Sequence, residues 1–431
     1  MAAYAPFEAQ ARIACAVSGG VDSMALLSLL APWCRAHGHE LMVLHVNHGL
    51  RAEADADAAF VMQSAEKLNV QGRVLHWQGQ KPSGPVQAPA RRARYDLLAG
   101  FCREKGILHL AMAHHLDDQS ETVALRLQSG SGLAGLAGMA SVRYLPDLRL
   151  IRPLLGLPKT RLQATLEGQR LDWKEDPSNR NEAHRRVRYR KLLQGSEDAL
   201  LLGQRLASAA GVYARLRAWS EAEAARLLAR AVQVHPAGYA LVQAAVLSEA
   251  PEWLARRAWF QLLRTIGGSA YGVRGSSLTA YLEAWKATGR MPETLGGCRI
   301  LPYGAVQFLV VREAQGLRSH PLRPGDTLLW DGRFRFSRAR ECEDGRELLV
   351  GPLGHEGVNR LLQKIPSLRK SRIPRAVWPS FPALFCLDGL LAVPHLNYTW
   401  YKVEGKCGIA WSARPYHSLA ESVFRPAMSG L

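Results

Sequence analysis

The sequence predicts an α/β protein: a parallel sheet covered on both faces by helices, then a helical domain, then a small mixed α/β domain. Three observations predict it. From residue 12 to about 160 short apolar runs alternate with stretches of helical period, as a doubly covered parallel sheet requires. From about 198 to 232 Ala, Leu and Arg recur at helical spacing. Beyond 297 strand-like runs separated by turn signals replace that texture. At 431 residues the chain exceeds what one core organises. Domains are therefore expected at 1–197, 198–296 and 297–431.

Composition narrows the class of partner. Lys plus Arg number 55 against 37 Asp plus Glu, a formal net charge of +18, which favours a polyanion over a small neutral ligand. The seven cysteines show no C-x-x-C spacing and no metal-type cluster with histidine. Free thiols in a reducing cytoplasm are expected. No charged, apolar and cleavable leader opens the sequence, and no uninterrupted apolar run reaches about 18 residues, so no membrane association is expected. No protein partner is inferable.

Taken in order, strands are predicted at 13–17, 41–46, 73–77 and 107–111, with helices around 24–30, 54–68, 90–104 and 117–127. Pro32 is expected to end or kink the first helix. In such sheets ligands bind beyond the carboxyl ends of the strands, so the loops there are where chemistry is sought.

The first strand runs directly into Ser18-Gly19-Gly20-Val21-Asp22-Ser23. Two glycines permit a sharp turn that gathers backbone N–H groups, the serines add hydroxyls, and the following helix adds its positive end, which together make a phosphate cradle. No Lys follows the second Gly and no third Gly completes a dinucleotide fingerprint. Asp22 sets the loop apart. A carboxylate beside phosphate repels the ligand unless a divalent cation lies between, so Asp22 points to Mg²⁺ on a pyrophosphate.

After the second strand come His45, Asn47 and His48, where the histidines either face a nucleotide or serve structure. The Pro- and Gly-rich segment 78–89 reads as a loop leading into Ala90-Arg91-Arg92-Ala93-Arg94-Tyr95. Arg91 and Arg94 share a helix face and either fork onto phosphate oxygens or are merely solvated. Beyond the fourth strand, His114, Asp118 and Glu121 recur at four and then three positions, lining one edge with groups able to hold a metal, an ammonium or a proton in transit. Asp117 is differently placed, either to cap that helix or to favour its positive end. Four glycines between Gly130 and Gly138 are interleaved with leucines, which argues for a packed turn over a linker. Arg152-Pro153-Leu154-Leu155 is expected to close this part of the chain against another strand. Glu175-Asp176-Pro177-Ser178-Asn179 then precedes a run of Arg185, Arg186, Arg188, Tyr189, Arg190 and Lys191, a candidate contact for a nucleic-acid backbone through Arg186 and Arg188. Further on, 251–266 and 276–288 read as helices, 305–311 as a strand, and 327–330 with 334–337 as a hairpin about Asp331-Gly332-Arg333. The run 364–378 mixes basic residues with Trp378 and suits either an RNA surface or an ordinary solvated edge.

The string at 18–23 resembles the PP-loop of ATP pyrophosphatases, which implies a Rossmann-like catalytic domain. Taken with HVNHGLR at 45–51, ARRARY at 90–95, AHHLDDQSET at 113–122, GSGLAGLAGM at 130–139, RPLL at 152–155 and EDPSN at 175–179, the sequence resembles the bacterial tRNA(Ile)-lysidine synthase family. The resemblance implies an ATP-dependent ligase. It would adenylate the wobble cytidine of tRNA(Ile) bearing CAU, then displace AMP with free L-lysine. It assigns ATP to Ser18, Gly19, Gly20, Val21, Asp22, Ser23, Arg94 and His114, Mg²⁺ to Asp22, and lysine to Asp118 and Glu121. It also implies that the second and third domains bind tRNA. Asn47 stands where family members often carry Asp, and Val187 where an Asn is usual after Arg186. A tRNA thiolase of the same superfamily is the rival reading; it would use the same loop but depend on paired cysteines.

Overall fold

Strand β1 (Arg12–Ala16) is buried from end to end in its centre, and its alternate residues serve two cores. Ile13 and Cys15 pack with helix α1 (Val21–Ala36), while Ala14 faces the opposite core with Leu98 and Cys102 of α3 (Gln87–Glu104). This two-sided burial is what a parallel sheet demands of its central strand. The computed structural model describes residues 1–50, 52–79, 86–145, 147–175, 197–269, 272–288, 293–340, 347–387, 389–399, 408–413, 415, 418–420 and 425–426.

The sheet continues with β2 (Glu40–Asn47), β3 (Gln71–His76), β4 (His109–Ala111), β5 (Val142–Leu145) and β6 (Leu148–Ile151), in the order β3-β2-β1-β4-β6-β5. All neighbours are parallel except the β5–β6 pair. Strand order reverses direction at β1, with β2 on one side and β4 on the other, and such switch points open a crevice at the carboxyl ends of the strands. The remaining helices of this part are α2 (Ala54–Lys67), α4 (Leu116–Gln128), α5 (Leu133–Leu136), α6 (Lys159–Gln169) and the first portion of α7 (Glu197–Ala231).

Helix α1 does not end at Pro32 but runs on to Ala36. Pro32 is exposed, whereas Leu30, Ala31 and Cys34 around it are buried, so packing of the inner face overrides the missing N–H. The Gly-rich segment is a packed turn. Gln119 donates from Nε2 to the Met139 carbonyl at 3.1 Å and accepts the Met139 N–H at 2.7 Å. Gly138 (φ 66°) sits so close that a Cβ would stand 2.7 Å from the Gln119 amide oxygen.

Residues Met1–Trp219 with Ser422–Leu431 form one compact unit, and Ser220–Glu421 a second. In the second, β7 (Val232–His235) and β8 (Tyr239–Gln243) join β9 (Thr294–Leu295), β10 (Cys298–Tyr303) and β11 (Gln307–Arg312) in an antiparallel sheet ordered β7-β8-β11-β10-β9. Helices Glu252–Gly267 and Gly275–Thr288 cover it through Trp259, Leu262, Leu263 and Leu278. The strands at 232–243 escaped the helical reading of this region because they are short and follow a long helix without a glycine break.

The hairpin expected at 327–337 forms between Thr327–Trp330 and Phe334–Arg338, with three residues between the paired Trp330 and Phe334; Asp331 and Gly332, both at positive φ, are spanned by the Arg333 N–H donating to the Trp330 carbonyl at 3.0 Å. Trp378 is 1 % exposed and donates its indole N–H to Ile373, so it belongs to the core and offers no stacking face. Arg369, Lys370, Arg372 and Arg375 around it remain exposed.

Candidate active site

The loop between β1 and α1 is built by its own side chains. Gly19 adopts φ 92°, a backbone region that favours glycine, and Val61 and Phe60 stand beside it, at ordinary contact distances of 3.4 and 3.6 Å from where a Cβ would lie. Ser23 Oγ accepts the Ser18 N–H at 3.1 Å, donates to the Gly20 carbonyl at 3.0 Å and lies 3.2 Å from Ser18 Oγ. Gly20 caps α1, so the first-turn N–H groups of Val21, Asp22 and Ser23 belong to the four donors that a helix start leaves without an intrahelical acceptor. The result is a rigid arc of backbone donors at the positive end of a 16-residue helix.

Two neighbours fix this arc from outside. His45 is 5 % exposed and hydrogen-bonds the Val17 carbonyl through Nδ1 at 2.9 Å; burial holds its pKa below the ordinary histidine value despite that bond. Its role is therefore structural. Lys174 donates its backbone N–H to the Gly19 carbonyl at 2.9 Å, while its ammonium binds Asp57 at 2.9 Å and the Ala56 carbonyl at 3.0 Å. No sequence signal marked Lys174, whose partners are about 117 and 155 positions away along the chain.

Asn47 is buried as well. It donates to Asp55 at 2.7 Å and accepts the Gly49 N–H at 2.8 Å. An amide serves both bonds at once, whereas a carboxylate here would face Asp55 without a donor, which accounts for Asn at this position in this chain. His48 stands edge-on to Trp77, with ring centroids 5.8 Å apart.

The second half of the site comes from the β4–α4 junction. His115, not Asp117, caps α4: its Nδ1 accepts the Asp117 N–H at 3.2 Å, and Asp118 Oδ2 accepts the His115 N–H at 3.2 Å. Asp117 in turn accepts the Lys159 N–H at 3.2 Å, tying α4 to α6. Nδ1 acting as acceptor leaves the ring proton on Nε2, which faces Asp22 Oδ2 at 3.6 Å and Asp118 Oδ2 at 3.5 Å. Burial opposes a charge on His115, but the nearby carboxylates of Asp22, Asp118 and Asp117 outweigh it and raise its pKa. The loop carboxylate and the helix carboxylate thus meet across one imidazole.

His114 lies outside that contact. Burial, reinforced by Arg152 and opposed by Asp118, pushes its pKa down to about 3, so it is neutral at physiological pH. Its Nδ1 is buried with no hydrogen-bond partner, an atom available to a ligand. Arg94 on α3 is partly buried and its pKa is lowered by that burial; Arg91 is exposed, with its guanidinium 5.5 Å from the Tyr95 ring centre. Glu121 is 2 % exposed, three positions beyond Asp118. Arg186 and Arg188 lie outside the described residues.

The sequence pattern picked out Asp22, His114 and Asp118 but missed His115. Asn, Asp, Ser and Thr are the usual helix caps, so nothing in His114-His115 signalled that the second histidine begins the helix and faces both carboxylates.

A parallel sheet carrying this loop at its switch point defines a PP-loop enzyme that uses ATP, and the model of the PP-loop domain matches residues 2–196. Named relatives narrow the class. The tRNA(Ile)-lysidine synthase of Wolbachia pipientis wMel is 33% identical over 394 residues, covering 90% of this chain and 89% of the relative. That of Ruegeria pomeroyi is 34% identical over 400 residues, covering 90% of each. That of Rhodopseudomonas palustris reaches 47% over 192 residues, 44% of this chain and 56% of the relative. The chain belongs to the tRNA(Ile)-lysidine synthase family, and it is an ATP-dependent ligase. Among the described residues no helix is long and apolar enough to cross a membrane.

Proposed function

We propose that the protein joins free L-lysine to C2 of the wobble cytidine in the CAU anticodon of tRNA(Ile), changing its decoding from AUG to AUA. In the first step the C2 carbonyl oxygen attacks the α-phosphorus of ATP, forming an O–P bond and releasing pyrophosphate. In the second the ε-amine of lysine attacks C2, a C–N bond forms and AMP departs.

The donors of residues 18–23 would hold the phosphates, with Arg94 and neutral His114 contacting the nucleotide. Asp22 would hold Mg²⁺. The residues fit that ion: a single carboxylate in the first turn of α1, at the loop's backbone donors, suits a metal that takes its other ligands from phosphate and water, and among the described residues no cluster of three or more His, Cys, Asp or Glu offers an all-protein cage. When bound, the ion supplies positive charge to the leaving pyrophosphate. Asp118 would orient the lysine ammonium and take its proton, because only the neutral amine attacks; Glu121, buried behind it, would complete that pocket. Arg186 and Arg188 are proposed contacts to the tRNA backbone, and 198–296 and 297–431 are proposed tRNA-binding domains.

The observation that carries this reading is the meeting of Asp22 and Asp118 at His115, which supports pairing the carboxylate proposed for the phosphates with the one proposed for the amine. The test incubates the protein with ATP, labelled lysine and tRNA(Ile) bearing CAU, with tRNA(Met) as control. Label is expected in tRNA(Ile) alone; label in neither RNA refutes the reading.

A further inference from the structure

We propose that His115 is a positioning residue that spaces the two halves of the reaction, holding Asp22 and Asp118 to either side of its Nε2. The inference rests on the proposed reaction for the meaning of the two ends, but not for the geometry. His115 is 2 % exposed and cannot swing away. Its N–H is taken by Asp118, its Nδ1 by the Asp117 N–H, and the next residue, Leu116, donates its N–H to the Leu157 carbonyl at 2.9 Å. With backbone and one ring nitrogen fixed, Nε2 has a single direction, toward the loop carboxylate.

The residue type carries the argument. A cap alone needs one acceptor on a short side chain, which Asn or Ser supplies as well or better. Imidazole adds a second nitrogen on the far side of the ring, and that nitrogen is the one between the carboxylates. A hydrogen-bonding partner behind a metal-binding carboxylate fixes its orientation, and loss of such a partner typically costs about 10–100-fold in metal affinity. Displacing a reacting group by about 1 Å costs about 100-fold in rate.

The discriminating variants are His115→Asn and His115→Ser, which retain the cap and lose the bridge. Both are made in the full chain, and thermal unfolding verifies that each is folded. Two measurements follow, neither needing lysine transfer. The affinity of Mn²⁺-ATP, read by calorimetry, is expected to fall about tenfold or more in the Asn variant, and ATP cleavage with tRNA but without lysine to fall about 100-fold. The lysine KM should also rise, whereas Asp118→Asn should raise the lysine KM and leave Mn²⁺-ATP affinity within about threefold of wild type. In a double-mutant cycle, combining His115→Asn with Asp118→Asn should raise the lysine KM by less than the product of the single effects, as coupled neighbours do. Added imidazole should restore at least part of the cleavage rate in a folded His115→Gly variant. Wild-type Mn²⁺-ATP affinity and cleavage in both capping variants would overturn the bridge and leave His115 a cap. Failure of the wild type to label tRNA(Ile) would sink the reaction instead, leaving the nucleotide measurements to decide on His115.

Discussion

Two carboxylates in this chain differ in what surrounds them, and their substitution should separate the two halves of the proposed reaction. Asp22 sits in the first turn of α1, where the helix end favours its negative charge, and its side chain is 30% exposed. Asp118 begins α4, bonded to the His115 backbone and 22% exposed. Asp22→Ala is expected to lower ATP cleavage by at least about 100-fold, the scale at which removal of one electrostatic stabiliser acts, while tRNA affinity stays within about twofold. Filter binding and AMP release measured on the same preparation check this; normal turnover would refute the metal assignment. Asp22 was legible because a carboxylate in a phosphate loop has few dull explanations. His115 was not, because its meaning depends on a contact across 93 positions of chain, from β1's loop to α4's cap.

At the scale of elements, the alternation of apolar runs with helical period located β1 to β4 and the helices α2, α3 and α4 to within a few residues, whereas β5, β6, α5 and α6 received no bounds. The continuation of α1 past Pro32 is instructive. Pro32 carries a local veto that propensity registers, but the buried stripe of Leu26, Leu27, Leu30 and Cys34 continues past it, and burial of several large side chains outweighs a defect on the exposed face. The defect still has a cost. Proline in a helix interior is about 3 kcal/mol worse than alanine, offset by up to about 1 kcal/mol from its stiffening of the unfolded chain. Pro32→Ala, which restores a donor for the Ser28 carbonyl without touching the core, is expected to stabilise by about 2 kcal/mol and raise the melting temperature by several degrees. A calorimetric scan that shows no rise, or a fall, would mean that packing of the proline ring compensates the strained turn. The Gly-rich turn teaches the complementary lesson. Its glycines were visible, but that Gln119 clamps Met139 from both sides depends on two segments meeting in space.

For the whole molecule, the formal charge of +18 is a statement about partners and not about folding. Much of it lies on exposed side chains such as Arg369, Lys370, Arg372 and Arg375, where surface ion pairing contributes little stability and repulsion adds a small cost. Such an excess is understandable if the physiological partner is a polyanion whose condensed counterions are released on binding. The expected signature is a tRNA affinity that falls steeply with salt, with a log–log slope of about −3 or steeper if four or more phosphates are engaged. Asp22→Ala should shift neither the slope nor the midpoint, because it acts on ATP. Substituting Arg369, Lys370, Arg372 and Arg375 together by Gln should flatten the slope by about 0.7–0.9 for each phosphate that the variant no longer neutralises, without altering thermal stability, since none of these side chains is buried. Fluorescence anisotropy of labelled tRNA across a salt series measures both. A slope shallower than about −1 in the wild type would mean that the charge excess solvates the protein and that recognition rests on base and shape contacts instead. An unchanged slope in the quadruple variant would move the phosphate track to other basic surfaces of the chain.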